Sequence, residues 1–174
     1  MCSNDLEKLP LLFEVFPDFP SIRVMQITDK EPQVVIKVAT FLKEKGYGFD
    51  VMATDASFLQ VLKESIQNPS EYLEIRSLDY DSTKYNYHGK NYDSVFVNVD
   101  FEKIKDERYF FERIYATMKN AAGLIVLIPK HSPILEGLVE RLEGYNFVAV
   151  NPIDLLDEYQ VVYAKKMHGW DGAR

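Results

Sequence analysis

A chain of 174 residues, 47% of them apolar, has the length and composition of a single domain with a buried core. Its formal net charge of -7 argues against nucleic acid as a partner, because an acidic chain repels a polyanion. The single cysteine, Cys2, excludes a disulfide framework, and no apolar run approaches the roughly 20 residues that span a bilayer, so we expect a cytoplasmic protein without membrane association. Short apolar runs alternate with segments of helical period, which predicts a parallel sheet covered on both faces.

The predicted elements begin with an amino-terminal extension. Residues 1–20 are apolar but carry Pro10, Pro17 and Pro20, so we expect short helical pieces that pack on one α/β domain formed by residues 21–174. The predicted strands are 22–27, 49–55, 71–78, 92–99, 123–129, 145–153 and 159–167. The predicted helices are 32–46, 56–67, 108–119 and 132–144.

The ends of several elements carry sequence signals. Pro32 suits the first position of a helix, and Asp29 and Glu31 favour the positive end of its dipole. Ser132 and Pro133 predict a cap and a first helical position in the same way. The connection between the last two strands is too short for a crossover helix, so we expect these strands to pair antiparallel.

The order and spacing of these segments resemble the class I S-adenosylmethionine-dependent methyltransferases. "FDVMATDAS" resembles the second strand of that family with its terminal acid, "YDSVFVNVDF" its fourth strand, "MKNAAGLIVLIPK" its fifth, and "GYNFVAV" with "YQVVYAKK" its terminal hairpin. The resemblance covers Ser21 to about Trp170. It implies a Rossmann-like methyltransferase fold, with a seven-stranded, mostly parallel sheet of order 3-2-1-4-5-7-6, helices on both faces and a C-terminal antiparallel hairpin. It also implies a cofactor bed at the carboxyl ends of the first strands.

The resemblance implies roles for residues on the cofactor side. Asp55, at the end of the second strand, matches the acid that binds the ribose hydroxyls, although an Asp before "ASFLQ" also fits a helix cap. Asp79, after the third strand, matches an acid that faces the adenine amino group, although it also fits a solvated acidic turn. Thr28 and Asp29 lie in the first cofactor loop. No metal site is predicted.

On the acceptor side, the resemblance points to the end of the fourth strand. Asn98 opens "NVDF", which matches the Asn or Asp of the amino-methylating branch but lacks the two prolines that follow it there. His131 follows the fifth strand and is a candidate general base, or else a polar loop residue. Four tyrosines between the end of strand three and the start of strand four are candidates to clasp a flat ligand or to cover the sheet edge: Tyr80, Tyr85, Tyr87 and Tyr92.

The first loop, "TDKEPQ" at residues 28–33, contains no glycine, whereas the family places alternating glycines there so that the cofactor can approach the backbone. The side chains of this loop would project into the cofactor bed. Pro32 lacks an N–H, and Asp29 and Glu31 would repel the cofactor carboxylate while attracting its ammonium and sulfonium. We therefore expect S-adenosylmethionine to bind weakly or not at all.

Two hypotheses of function follow from this sequence. One is an S-adenosylmethionine-dependent methyltransferase with an altered pocket and an unidentified acceptor. The other is a non-catalytic interaction or assembly module on a methyltransferase fold, whose small-molecule or protein partner the sequence does not name.

Overall fold

The computed structural model describes residues 1–66, 71–86 and 89–167, and its sheet has the predicted order. In these residues seven strands are hydrogen-bonded in the order β3-β2-β1-β4-β5-β7-β6. The five strands β3, β2, β1, β4 and β5 pair parallel with their neighbours in the sheet. Strand β7 pairs antiparallel with both β5 and β6. The strands are β1 Arg23–Thr28, β2 Gly48–Ala53, β3 Leu73–Ser77, β4 Tyr92–Asn98, β5 Met118–Pro129, β6 Phe147–Ile153 and β7 Tyr159–Lys166.

Helices cover both faces of this sheet, as the apolar strands require. Every residue of β4 is buried, which is expected for a parallel strand with helices above and below it. One core lies under α1 to α3, and the other lies under α4 and α5. The helices are α1 Ser3–Leu12, α2 Pro32–Lys45, α3 Ala56–Ser65, α4 Glu107–Thr117 and α5 Leu138–Gly144. None of the helices in the described residues is long and apolar enough to cross a membrane.

The amino-terminal extension forms α1 and a short 3-10 turn, Phe13–Val15. Leu9 and Phe13 are buried in the core under α2. The carboxylate of Asp5 is also fully buried, and it accepts the backbone N–H groups of Asp157 and Glu158 in the connection between β6 and β7. Apolar packing and a buried carboxylate therefore both hold the extension against the sheet.

The carboxyl end of α4 differs from the prediction in a way that also changes β5. The helix predicted at 108–119 ends at Thr117, because Met118 is extended, wholly buried and paired with Tyr92 as the first residue of β5. Strand β5 therefore begins five residues before the predicted 123, and Ala121, at φ 61°, marks an irregularity in its path.

The prediction of a continuous helix at 132–144 was wrong for the first half of that segment. Residues Pro133–Leu135 form a 3-10 turn, and α5 begins only at Leu138. Gly137 has a φ of 66°, a left-handed conformation that interrupts the helix and that glycine adopts without steric cost. The predicted capping role of Ser132 was also wrong, since its side chain makes no capping hydrogen bond.

A buried lysine closes the carboxyl end of α4. Lys166 is only 4% exposed, and its Nζ donates to the carbonyl oxygens of Tyr115 and Met118, at 2.8 Å each. The same ammonium lies 4.4 Å from the centre of the Tyr115 ring. Burial lowers the pKa of Lys166 to about 8, and the nearby charge of Lys90 contributes to the shift.

Candidate functional site

The carboxyl ends of the central strands bring several predicted residues together. Thr28, the last residue of β1, is level with Ala53 of β2 on one side and with Asn98 of β4 on the other. Asp29 follows directly, so three of the predicted residues share this edge of the sheet. The exposed side chain of His131 lies beyond the end of β5. Two other histidines, His88 and His168, lie outside the described residues, as does Tyr87.

Asp29 ties the loop after β1 to the loop after β4. Its side chain is 1% exposed, and one carboxylate oxygen accepts the backbone N–H of Asp100 at 2.9 Å. The other oxygen accepts a hydrogen bond from the Nζ of Lys103 at 3.1 Å. This contact raises the pKa of Lys103 and keeps the amine charged. The carboxylate is therefore paired within the protein and faces its own chain.

Tyr80 adds a third strand end to this arrangement. Its hydroxyl accepts from the Oγ1 of Thr54 at 3.0 Å and donates to the carboxylate of Asp29 at 3.4 Å. Thr54 follows β2, so the phenol connects the ends of β1 and β2. Burial raises the pKa of Tyr80 above its ordinary value, which keeps the hydroxyl neutral.

Asp55 lies two residues beyond the end of β2 and caps α3. One carboxylate oxygen accepts the N–H groups of Ser57 at 2.9 Å and Phe58 at 3.0 Å. The hydrogen bonds from Ser57 and Phe58 lower the pKa of Asp55. The side chain is thus engaged as a cap, which was one of its two predicted roles, and its ribose-binding role stays a prediction.

Asp79 is exposed in the loop after β3, where it accepts the N–H of Asp81 at 2.9 Å. This bond is the local contact of an acidic turn. Its proposed contact with adenine stays a prediction, because a side chain on the surface leaves both roles open.

The end of the "TDKEPQ" loop is also paired internally. Glu31 has a φ of 58°, and its carboxylate pairs with the amino group of Met1 and accepts the hydroxyl of Tyr159 at 3.2 Å. Pro32 opens α2, as predicted. The Oγ1 of Thr28 donates to the carbonyl oxygen of Lys30 at 3.0 Å, which closes the loop on itself. Both acids of the loop therefore contact groups of this chain.

Two buried amides lie beside this loop. The side chains of Gln26 and Asn98 are fully buried, and neither has a hydrogen-bond partner among the described residues. Gln26 is two residues before Thr28 on β1, so both face the same side of the sheet as Asn98. Sequence reasoning missed Gln26, although a lone amide within the apolar strand "RVMQIT" was a usable signal.

Replacing Gln26 with methionine should raise the free energy of unfolding by about 1 to 2 kcal/mol, because it removes an unpaired amide at nearly constant volume. Urea unfolding measures this change. Gln26→Glu, which buries a charge in the same shape, should instead destabilise the protein. A loss of stability in Gln26→Met would mean that the amide has a partner in solution.

Solved structures resemble this fold, whereas the sequence matches no protein-family model and no curated protein. The CurJ carbon methyltransferase matches with a TM-score of 0.76 and 11% identity, over 94% of this chain and 54% of that chain. An S-adenosylmethionine-dependent methyltransferase from Mesorhizobium loti matches with a TM-score of 0.66 and 9% identity, over 90% of this chain and 96% of that chain. The cyclase SpnF matches with a TM-score of 0.72 and 10% identity, over 94% of this chain and 81% of that chain.

These matches define the class of fold. The chain has a class I S-adenosylmethionine-dependent methyltransferase-like fold, which confirms the prediction from segment order. It spans about half the length of the carbon methyltransferases that it matches. Because the identities are low, the likeness concerns the fold alone, and the fold carries more than one activity among these matches.

Proposed function

We propose that this chain is a non-catalytic interaction module on a methyltransferase fold, with a cofactor cleft closed by its own side chains. The pairing of Asp29 with Asp100 and Lys103 carries this proposal. In a methyltransferase the first loop presents its backbone to the cofactor, and the sulfonium itself makes the methyl group electrophilic. Here the loop carries six side chains, and its acids contact the protein instead of a ligand. These residues do not fit S-adenosylmethionine.

Calorimetric titration with S-adenosylmethionine and S-adenosylhomocysteine tests this proposal. We expect a dissociation constant no tighter than about 1 mM, which corresponds to roughly -4 kcal/mol. The reason is that binding must break the Asp29 contacts and place the cofactor carboxylate beside two acids. Micromolar binding by the unmodified chain would overturn the proposal.

The enzyme hypothesis keeps one specific observation in its favour. The buried amide of Asn98 has no partner among the described residues, and it lies at the end of β4, where the resemblance expects an acceptor contact. Under that hypothesis Asp55 binds ribose, and Asp55→Ala should weaken cofactor affinity by about 1 to 3 kcal/mol because polar partners are left unpaired. The matched control, Asp79→Ala, removes the proposed adenine contact and leaves the proposed ribose contact of Asp55 in place.

A further inference from the structure

The loop between β3 and β4 crosses the same edge of the sheet and is anchored close to where it leaves β3. Leu78 is buried, and its backbone N–H donates to the carbonyl oxygen of Ala53 at 2.9 Å. Tyr80 follows two residues later and turns its phenol toward Thr54 and Asp29. The loop thus brings one aromatic ring to the ends of β1 and β2.

Three contacts define the space around the Tyr80 ring. The hydroxyl meets one donor, the Oγ1 of Thr54, and one acceptor, the carboxylate of Asp29. The ring packs edge to face on Phe110 of α4, with 5.8 Å between ring centres. An aromatic wall at one side and a donor with an acceptor at the other form a slot for a flat ring with a polar edge.

Arg113 of α4 holds the backbone behind this ring. Arg113 is 6% exposed, and its guanidinium donates to the carbonyl oxygens of Tyr80 and Asp81. It also lies 3.1 Å from the centre of the Tyr109 ring, a cation–π contact. The hydroxyl of Tyr85 donates to the same carbonyl of Tyr80 at 3.0 Å. The backbone carbonyl of Tyr80 and its side-chain hydroxyl are therefore both held by hydrogen bonds.

We propose that Tyr80 is a built-in ligand, and that its slot takes an external planar ring with a hydrogen-bonding edge once the phenol is withdrawn. This inference rests on the proposed function, because a cleft filled from within excludes a cofactor. The inference goes further because it assigns the exclusion of a cofactor ring at this position to one side chain, that of Tyr80. Another residue of the glycine-free loop, Glu31, pairs with Met1, whereas Asp29 of the same loop borders the Tyr80 slot.

Cavity complementation tests this assignment. Tyr80→Ala removes the ring and leaves Thr54, Asp29 and Phe110 around the vacated, partly exposed space. Buried apolar cavities left by removed side chains bind small rings, and here the hydroxyl of phenol would also meet Thr54 and Asp29. We expect phenol to bind Tyr80→Ala at least tenfold more tightly than the unmodified chain and to raise its melting temperature. Cyclohexanol, which has the hydroxyl but not the flat ring, should bind Tyr80→Ala at least tenfold more weakly than phenol does.

Two variants control the experiment. Tyr80→Phe keeps the ring in the slot and should show no phenol response, whereas Tyr72→Ala removes an exposed tyrosine elsewhere and measures non-specific binding. A Tyr80→Ala response no larger than that of Tyr72→Ala would overturn the inference. If Tyr80→Ala does not fold alone, phenol in the refolding buffer should restore its near-ultraviolet circular dichroism, and failure of that rescue also overturns it.

The outcomes distinguish this inference from the proposed function. Micromolar binding of S-adenosylmethionine by the unmodified chain removes the proposed function and the inference with it. Indifference of Tyr80→Ala to phenol removes the inference alone, because the Asp29 contacts with Asp100 and Lys103 are still present in the unmodified chain.

Discussion

Replacing Asp29 with alanine is expected to lower the free energy of unfolding by about 3 kcal/mol, because a buried acceptor of several hydrogen bonds is lost. The backbone N–H of Asp100 and the hydroxyl of Tyr80 would lose their common partner. The bridge between the loops after β1 and β4 would be lost with it. Urea unfolding monitored by circular dichroism measures the change.

The partner variants separate the buried carboxylate from its surface ion pair. Lys103 is about half exposed, so Lys103→Met should cost less than about 1 kcal/mol. Asp29→Asn keeps an acceptor oxygen for Asp100 and should fall between the two. Equal losses in Asp29→Ala and Lys103→Met would show that the ion pair, and not the buried bridge, accounts for the stability.

Raising the pH from 7 to about 9.5 should stabilise the protein by about 2 kcal/mol through Lys166. The folded pKa of Lys166 is about 8, and the ordinary lysine value is 10.5. Between these values the unfolded lysine keeps its proton and the folded one loses it, so the unfolded state binds more protons and stability rises with pH. Each pKa unit corresponds to about 1.4 kcal/mol.

Above about pH 10 the free energy of unfolding should fall again, because tyrosines ionise in this range. Burial raises the pKa of Tyr80, Tyr92 and Tyr159, so these groups ionise in the unfolded state first and favour unfolding. Lys166→Met should remove the rise between pH 7 and 9.5 and keep the fall at higher pH. A Lys166→Met profile that still rises would assign the effect to another group.

The sequence was sufficient for the strands because strands and short connections leave regular patterns, whereas the strand order was implied by the resemblance to the methyltransferases. The apolar run "GLIVLIP" requires cover on both faces, and the short connection after Ile153 requires a hairpin. Asp55 was predicted as the last residue of β2, and the structure ends that strand at Ala53 with Asp55 as the cap of α3, so the junction between strand and helix was located to within two residues. Its capping contact is also local, since both N–H donors lie within three residues of Asp55.

The candidate site was harder to predict because its contacts join distant loops. Tyr80 meets Asp29 across 51 positions, and Lys103 meets Asp29 across 74. Tyr80, Tyr85 and Tyr92 all turn toward the protein interior, and no periodicity specifies which of them reaches Asp29, so Tyr80 could not be singled out. The break at Gly137 was missed for a different reason: a glycine within a helical pattern is compatible with both a continuous helix and a left-handed turn.

The left-handed backbone at Glu31 has a consequence for how this loop can change in a lineage. A residue with a β-carbon at φ 58° costs about 1 to 2 kcal/mol relative to glycine, and the bonds of Glu31 to Met1 and Tyr159 offset that cost. The main chain therefore already follows a path that glycine prefers. A single nucleotide change from a glutamate codon to a glycine codon would preserve that path and delete the side chain. Position 31 is thus the point at which one substitution would remove a side chain from the loop without changing its main-chain path, while Asp29 would keep its contacts with Asp100 and Lys103.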